Sequence, residues 1–295
     1  MAGDLMNSPH SHLVDAIGRA HAVARADARI VCLVPSISEL LFHLGVGDRL
    51  VGRTGFCIHP KDNIRTVPKV GGTKSVDIEK IRTLAPTHLI VNIDENEKST
   101  VEELARFVPN IIVTHPLGPL DNPSLYRLLG SIFDREDKAE QLCAAFRKVY
   151  ANAVAACAGL PRERVLYLIW KSPWMTVARD TYISRTLAAV GWDTVPADGN
   201  VRYPTLELTP ALLSNVDRIL LSSEPYAFRE RHVEEMRQML GAATHYFVPT
   251  PMEEYDAPTR VSLIDGEMTS WYGSRAIEGM KYLSRFRTGE RTSPA

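Results

Sequence analysis

The chain has 295 residues, 45% of them hydrophobic and 23% charged, which is enough apolar side chain for a sizeable core and a length that suits two domains. Its formal net charge is −1, so no basic surplus exists to neutralise a nucleic-acid backbone or to hold an anionic membrane, and no stretch approaches the roughly 20 apolar residues of a bilayer span. Cys32, Cys57, Cys143 and Cys157 form no CxxC pair, which argues against a zinc knuckle or a thioredoxin-type redox pair and for free thiols in a reducing compartment.

Residues 1–28 lack the basic residues followed by an apolar run that mark a secretion signal, and carry Asp4, His10, His12, Asp15 and Arg19 instead, so a cytoplasmic location is expected. Leu13 to Ala26 reads as a helical extension. The β-branched run Ile30 to Val34 is then a strand, and Pro35-Ser36 opens a helix to Leu44. The alternation continues with apolar Leu50 to Gly52, helix Asp77 to Leu84, strand Thr87 to Val91, helix Ser99 to Phe107 and strand Asn110 to Thr114. From Asn122 to Ala158 the pattern is wholly helical, and Arg135 to Ala158 predicts one continuous helix on the order of 35 Å long. Strands at Val165 to Trp170 and Trp174 to Val177 follow, then helices Thr181 to Val190 and Leu206 to Leu213 and strand Arg218 to Leu221. Helix Arg229 to Leu240, strand Tyr246 to Val248 and helix Gly273 to Arg285 complete the pattern. The expected fold class is α/β: two Rossmann-like lobes, 29–134 and 161–295, with mainly parallel sheets, joined by a backbone helix over 135–160.

In such sheets ligands bind beyond the carboxyl ends of the strands, so the residues just after each strand are the candidates. Ser36 stands at a helix start whose amides suit an anionic group; it could equally cap the helix in a box with Glu39. In an extended Thr54 to Pro60, Cys57 and His59 would point to the same side, as two metal ligands require, although a core cysteine and a satisfied histidine fit as well. Gly71-Gly72-Thr73-Lys74-Ser75 lacks the order of a Walker loop, but Lys74 could face an anion. The polar run Asn92 to Glu97 puts Glu95 at a strand end, where Asp94 or Asn96 could instead cap a helix.

Aromatic residues make up only 7% of the chain, so their concentration in the loops of the second half is informative. Of Trp170, Trp174, Tyr182, Tyr203, Tyr226, Trp271 and Tyr272 most stand beside proline, glycine or charged residues, and Arg179, Arg202 and Glu224 lie in the same loops. That composition suits a ligand-stacking wall with a few polar anchors; the alternative is loop aromatics that pack only on one another. No HExxH, GxSxG or strand-borne GxGxxG appears, so catalysis has little positive support.

The runs Arg29 to Gly52, Val70 to Ile81 and Leu84 to Val91 resemble the cobalamin and iron-siderophore class of solute-binding proteins, the helical-backbone metal receptors. Pro86-Thr87-His88-Leu89 departs slightly from that family's pattern. The resemblance spans roughly Arg29 to Arg285 and implies two α/β lobes on one long helix, small lobe movements and a ligand held in an inter-lobe cleft. The second-half motifs are similar to a branch without a secretion signal, often labelled cobalamin-binding; exported members deliver ligand to a membrane ABC transporter, a partner that is doubtful without export.

The expected function is therefore a binding protein for a small metal-chelate or corrinoid-like ligand such as cobalamin. Lys74, Arg179, Arg202 and Glu95 or Glu224 would meet its polar groups. The alternative is a cytosolic metal-handling chaperone or enzyme built on Cys57 and His59, with Glu95 or Asp265 completing the site.

Overall fold

The structure is a computed structural model that describes residues 13–196, 201–245 and 260–290. Its contacts divide the chain into two units, one of 1–116, 120–148 and 272–277 and the other of 117–119, 149–271 and 278–295. Among the described residues no helix is long and apolar enough to cross a membrane.

The first unit carries β1 (Ile30–Cys32), α1 (Pro35–His43), β2 (Leu50–Arg53), α2 (Lys61–Ile64), α3 (Ile78–Thr83), β3 (His88–Asn92), α4 (Lys98–Leu104), β4 (Asn110–Thr114) and α5 (Asn122–Ile132). Its four strands pair in parallel in the order β2-β1-β3-β4. Parallel neighbours need crossover helices, and the apolar runs that read as strands are the ones buried here: Val31, Leu33, Leu89, Val91 and Ile111 share a core with Ile81 of α3 and Leu104 of α4. Asp77 starts α3 by accepting the Lys80 amide at 2.9 Å.

Residues 13–29 are not the expected helical extension. They form turns with a single bridge between Val14 and Ala20, and the cause is Asp15. Its buried carboxylate accepts the amides of Ile17 (3.1 Å) and Arg19 (2.9 Å) through Oδ1 and that of Val113 (3.1 Å) through Oδ2, while His21 Nε2 lies 3.0 Å from Oδ2. A side chain that captures nearby amides competes directly with helix formation. The segment also covers the edge strand β4, with the Ala16 amide donating to Val113 O at 2.9 Å.

The helical stretch after β4 breaks once. Asp134, with φ of 57°, ends α5 and lets α6 (Glu136–Cys157) start as a separate helix of 22 residues. Its residues divide between the units at 148/149.

The second unit carries β5 (Glu163–Leu168), β6 (Trp174–Met175), α7 (Tyr182–Ala188), β7 (Trp192–Thr194), β8 (Thr205–Leu206), α8 (Pro210–Leu213), β9 (Arg218–Ser222), α9 (Glu230–His245), β10 (Arg260–Ile264) and α10 (Gly266–Ser270). The last helix, α11 (Arg275–Thr288), begins in the first unit and ends in the second. The strands pair in parallel in the order β10-β9-β5-β7, with β6 and β8 forming a separate antiparallel pair. Of the predicted helix over Leu206 to Leu213 only Pro210–Leu213 is helical, because Thr209 caps and Pro210 can only begin a helix; Leu206 ends β8. The predicted strand Tyr246 to Val248 lies outside the described residues.

At the amino end of β5 sits a charged hub. Glu163 accepts from Arg218 Nε (2.8 Å), Arg287 Nη1 (2.7 Å) and Trp192 Nε1 (3.0 Å). The Trp192 ring is fully buried, with the two guanidinium groups 5.5 and 5.6 Å from its centroid.

The segment 272–277 is tied into the first unit. The Gly273 amide donates to Asn122 Oδ1 at 2.7 Å, Tyr126 Oη donates to Gly273 O at 2.8 Å, and Arg275 reaches Glu39 of α1.

Candidate functional site

In the first unit the candidates gather at the carboxyl ends of β1, β2 and β3. The helix α1 starts straight after Val34, which is extended and gives no side-chain cap, so the expected box of Ser36 and Glu39 is not formed. Ser36 lies buried in the first turn and Glu39 turns to Arg275 instead. Glu95 accepts a 2.5 Å hydrogen bond from Tyr272 Oη. Burial, reinforced by that carboxylate, pushes the Tyr272 hydroxyl well above the ordinary tyrosine range, so Tyr272 is a donor at any working pH. Ser36 Oγ is buried without a hydrogen-bond partner among the described residues, so the geometry joins two sequence candidates, Glu95 and Tyr272.

Lys74 is exposed on a bend after Gly71, whose φ is 107° and where a Cβ would meet Ser75 O at 2.5 Å, so no side chain fits. Asn96 holds this bend, donating to Thr73 O at 2.9 Å and accepting the Asn92 amide at 2.9 Å. Neither Asp94 nor Asn96 caps a helix; the cap of α4 is Glu97.

Thr54 to Cys57 is a turn, not an extended segment, closed by the Cys57 amide on Thr54 O at 3.3 Å. It buries Cys57 completely and leaves His59 half-buried. Cys57 Sγ lies 3.1 Å from Ser38 Oγ and 3.2 Å from Thr54 Oγ1. Burial pushes its thiol up despite those hydroxyls, and burial does the same to Cys32, which disfavours the thiolate that binds metal. Among the described residues no group of three or more His, Cys, Asp or Glu side chains could hold a metal ion.

In the second unit the aromatic residues converge on one another. Trp174 stacks parallel to Phe228 with centroids 6.1 Å apart. Tyr226 packs at 4.7 Å on Phe228 and edge-on at 5.6 Å to Trp170, and His232 meets both Tyr226 and Phe228. Lys171 stands 5.6 Å over the Trp174 ring and is anchored by Glu235 at 2.5 and 2.6 Å. Phe228 is the buried floor of this cluster and Trp174 is half-buried beside it, while Trp170 is 39% exposed. Phe228, His232 and Lys171 are cluster members that sequence reasoning did not single out; Phe228 stood in the same Glu-Pro-Tyr-Ala-Phe run as Tyr226 and was the available signal.

Glu224 belongs to a neighbouring group. Its Oε1 accepts from Trp271 Nε1 at 2.8 Å and Ser270 Oγ at 2.9 Å. Gly266 makes that approach possible, because a Cβ there would meet Glu224 Cγ at 2.4 Å. Burial raises the Glu224 pKa, the charges of Glu267 and Asp265 add to the rise, and its two donors oppose it. Asp265 caps α10 through the Met268 amide.

The remaining candidates are dispersed. Arg179 is exposed, Tyr182 is buried in the first turn of α7, and Trp271 is buried. Arg202 and Tyr203 are half-buried on the strand-like segment whose carbonyls at Arg202 and Pro204 accept the amides of Ala178 (2.8 Å) and Thr176 (3.1 Å).

Comparisons with known proteins agree with this architecture. A vitamin B12-binding protein of Photorhabdus laumondii subsp. laumondii is 22% identical over 203 residues, covering 69% of this chain and 74% of that one. The apo periplasmic heme-binding protein of Roseiflexus sp. RS-1 superposes with a TM-score of 0.72 at 21% identity, over 89% of this chain and 98% of that one. The periplasmic vitamin B12 binding protein of Vibrio cholerae does so with a TM-score of 0.71 at 17% identity, over 90% and 98%. These two likenesses establish the fold. Residues 30–239, from the first residue of β1 into α9, match the family described as periplasmic binding protein, and the chain belongs to that family of solute-binding proteins.

Proposed function

We propose that the chain binds a flat macrocyclic metal chelate of the corrinoid or haem class, with the aromatic cluster of the second unit as its stacking surface. The observation that carries this reading is the chain of ring contacts from the partly exposed Trp170 through Tyr226 to Phe228 and Trp174, because an exposed indole braced by packed rings offers a rigid apolar face. Glu224, Arg179 and Arg202 belong to the same unit and are the candidates for its polar groups. Relatives named for vitamin B12 or heme binding support the ligand class.

Titrating the purified chain with cyanocobalamin and with hemin, read by quenching of tryptophan fluorescence and by melting temperature, tests the proposal. Saturable binding of one of them, weakened at least about tenfold in Trp170→Ala, is expected from the loss of one aromatic contact. No response to either ligand at concentrations far above micromolar would sink it. We further propose a cytosolic location, supported by four buried cysteines that are all unpaired, which fractionation of the host cell checks. Delivery to an ABC transporter is a separate proposal, tested by co-purification with a membrane permease.

A further inference from the structure

The segment from Arg53 to Lys69 leaves the end of β2, the edge strand of the first unit's sheet, turns at 54–57, passes through α2 and returns to the same strand. The Arg53 amide donates to Pro68 O at 3.0 Å and the Val70 amide to Arg53 O at 2.8 Å, which closes the excursion on itself. It lines a solvent-open cavity of about 310 Å³. Four of the residues that line it are cations, Arg53, Lys61, Arg65 and Lys69; the apolar part of the wall includes Ile58 and Ile64, and no acidic residue contributes.

Arg53 is only 5% exposed. Its Nε donates to Ile64 O (3.0 Å) and Val67 O (3.2 Å), and its Nη1 to Thr54 O (3.2 Å) and Cys57 O (3.0 Å). These carbonyls fix the plane of the guanidinium but leave its charge uncompensated, and Nη2 has no protein acceptor among the described residues. None of the four cations has a carboxylate within ion-pair distance among the described residues, whereas the chain's other buried arginines of this kind, Arg218 and Arg287, share Glu163. Buried arginines are ordinarily paired, and four like charges around one small cavity repel one another, so the arrangement is stabilised when an anion enters. Cations placed around a cavity suit a tetrahedral, doubly charged oxyanion better than a planar, singly charged carboxylate.

We propose that this cavity binds a small phosphoryl anion, with Arg53 as its fixed floor and Lys61, Arg65 and Lys69 as its exposed rim. The site is built from first-unit residues alone and is independent of the aromatic cluster. The test is calorimetric titration of the full chain with inorganic phosphate and with pyrophosphate, against sodium chloride at matched ionic strength. It is repeated on the triple substitution Lys61→Gln, Arg65→Gln, Lys69→Gln, whose positions are exposed and tolerate the change. Saturable binding, tighter for pyrophosphate and weakened at least about tenfold in the triple variant, is expected from the loss of charge-assisted hydrogen bonds. Tryptophan quenching by cyanocobalamin or hemin should be the same in both proteins, which separates this site from the one proposed above. Absence of binding at millimolar pyrophosphate, or equal binding by the triple variant, overturns the assignment.

Discussion

Arg275 grips Glu39 with two parallel hydrogen bonds, Nε to Oε2 at 2.8 Å and Nη2 to Oε1 at 2.7 Å, across 236 positions of sequence. The two side chains are only 13% and 9% exposed, so each charge depends on the other for solvation. Removing one partner strands the other: Arg275→Met should cost about 3–5 kcal/mol in urea unfolding. The double substitution Glu39→Met, Arg275→Met should recover most of that loss, and a double variant no better than the single one would contradict the stranded-charge account.

Acid should destabilise the Glu163 hub. Burial alone would raise its pKa, but hydrogen bonds and charge from Arg218, with Arg287 and Trp192, outweigh burial and bring it down to about 2. A carboxylate depressed in the folded state contributes stability that is complete above its unfolded value of about 4.3 and is lost as pH falls toward about 2. Melting curves of the wild type between pH 5 and pH 2 should show that loss, and Glu163→Gln should start lower and flatten it. Parallel curves for the two proteins would refute the linkage.

Glu224 should behave in the opposite sense. Its pKa is raised, chiefly by burial, so its contribution to stability is present below the unfolded value of about 4.3 and is lost as pH rises through the folded value. Glu224→Gln keeps an acceptor for Trp271 Nε1 and Ser270 Oγ while removing the charge. The variant should therefore melt higher than wild type at pH 8 and lose that advantage near pH 4. A lower melting temperature at pH 8 would mean that the charge itself is needed.

Packing and ligand contact can be separated within the aromatic cluster. Trp174 lies flat on Phe228 and is half-buried, so Trp174→Ala should cost on the order of 2 kcal/mol from lost packing. Trp170, at 39% exposure, should cost well under half of that on truncation but carry the larger loss of ligand affinity. Equal destabilisation by the two substitutions, measured by chemical denaturation, would assign both rings to packing.

The strands that were legible from sequence are those whose residues are apolar on both faces. Leu89-Ile90-Val91 and Ile111-Ile112-Val113 carry their parallel pairing in composition alone, and the unbroken amphipathic pattern of α6 does the same for the long helix. The Leu13 to Ala26 segment looked helical because Leu13, Val14 and Ile17 are spaced for it, but the spacing does not reveal that Asp15 takes the amides a helix needs. Trp192-Asp193-Thr194 was too short to register as β7, and Arg260 to Ile264 alternates too weakly to mark β10. The loop aromatics could be named from sequence because they are rare elsewhere, yet which of them touch is a property of the fold: Trp174 meets Phe228, 54 positions away, and Tyr272 meets Glu95, 177 positions away. The cationic cavity escaped notice because Arg53, Lys61, Arg65 and Lys69 have no periodicity until α2 folds them back on β2.

The return of residues 272–277 to the first unit has a consequence for biosynthesis. A nascent chain that has emerged only through α6 still lacks the arginine for Glu39 and the glycine carbonyl for Tyr126. The half made first therefore waits for the half made last, and a gene cut at 148/149 should yield an amino-terminal fragment that sticks to chaperones instead of a free-standing module.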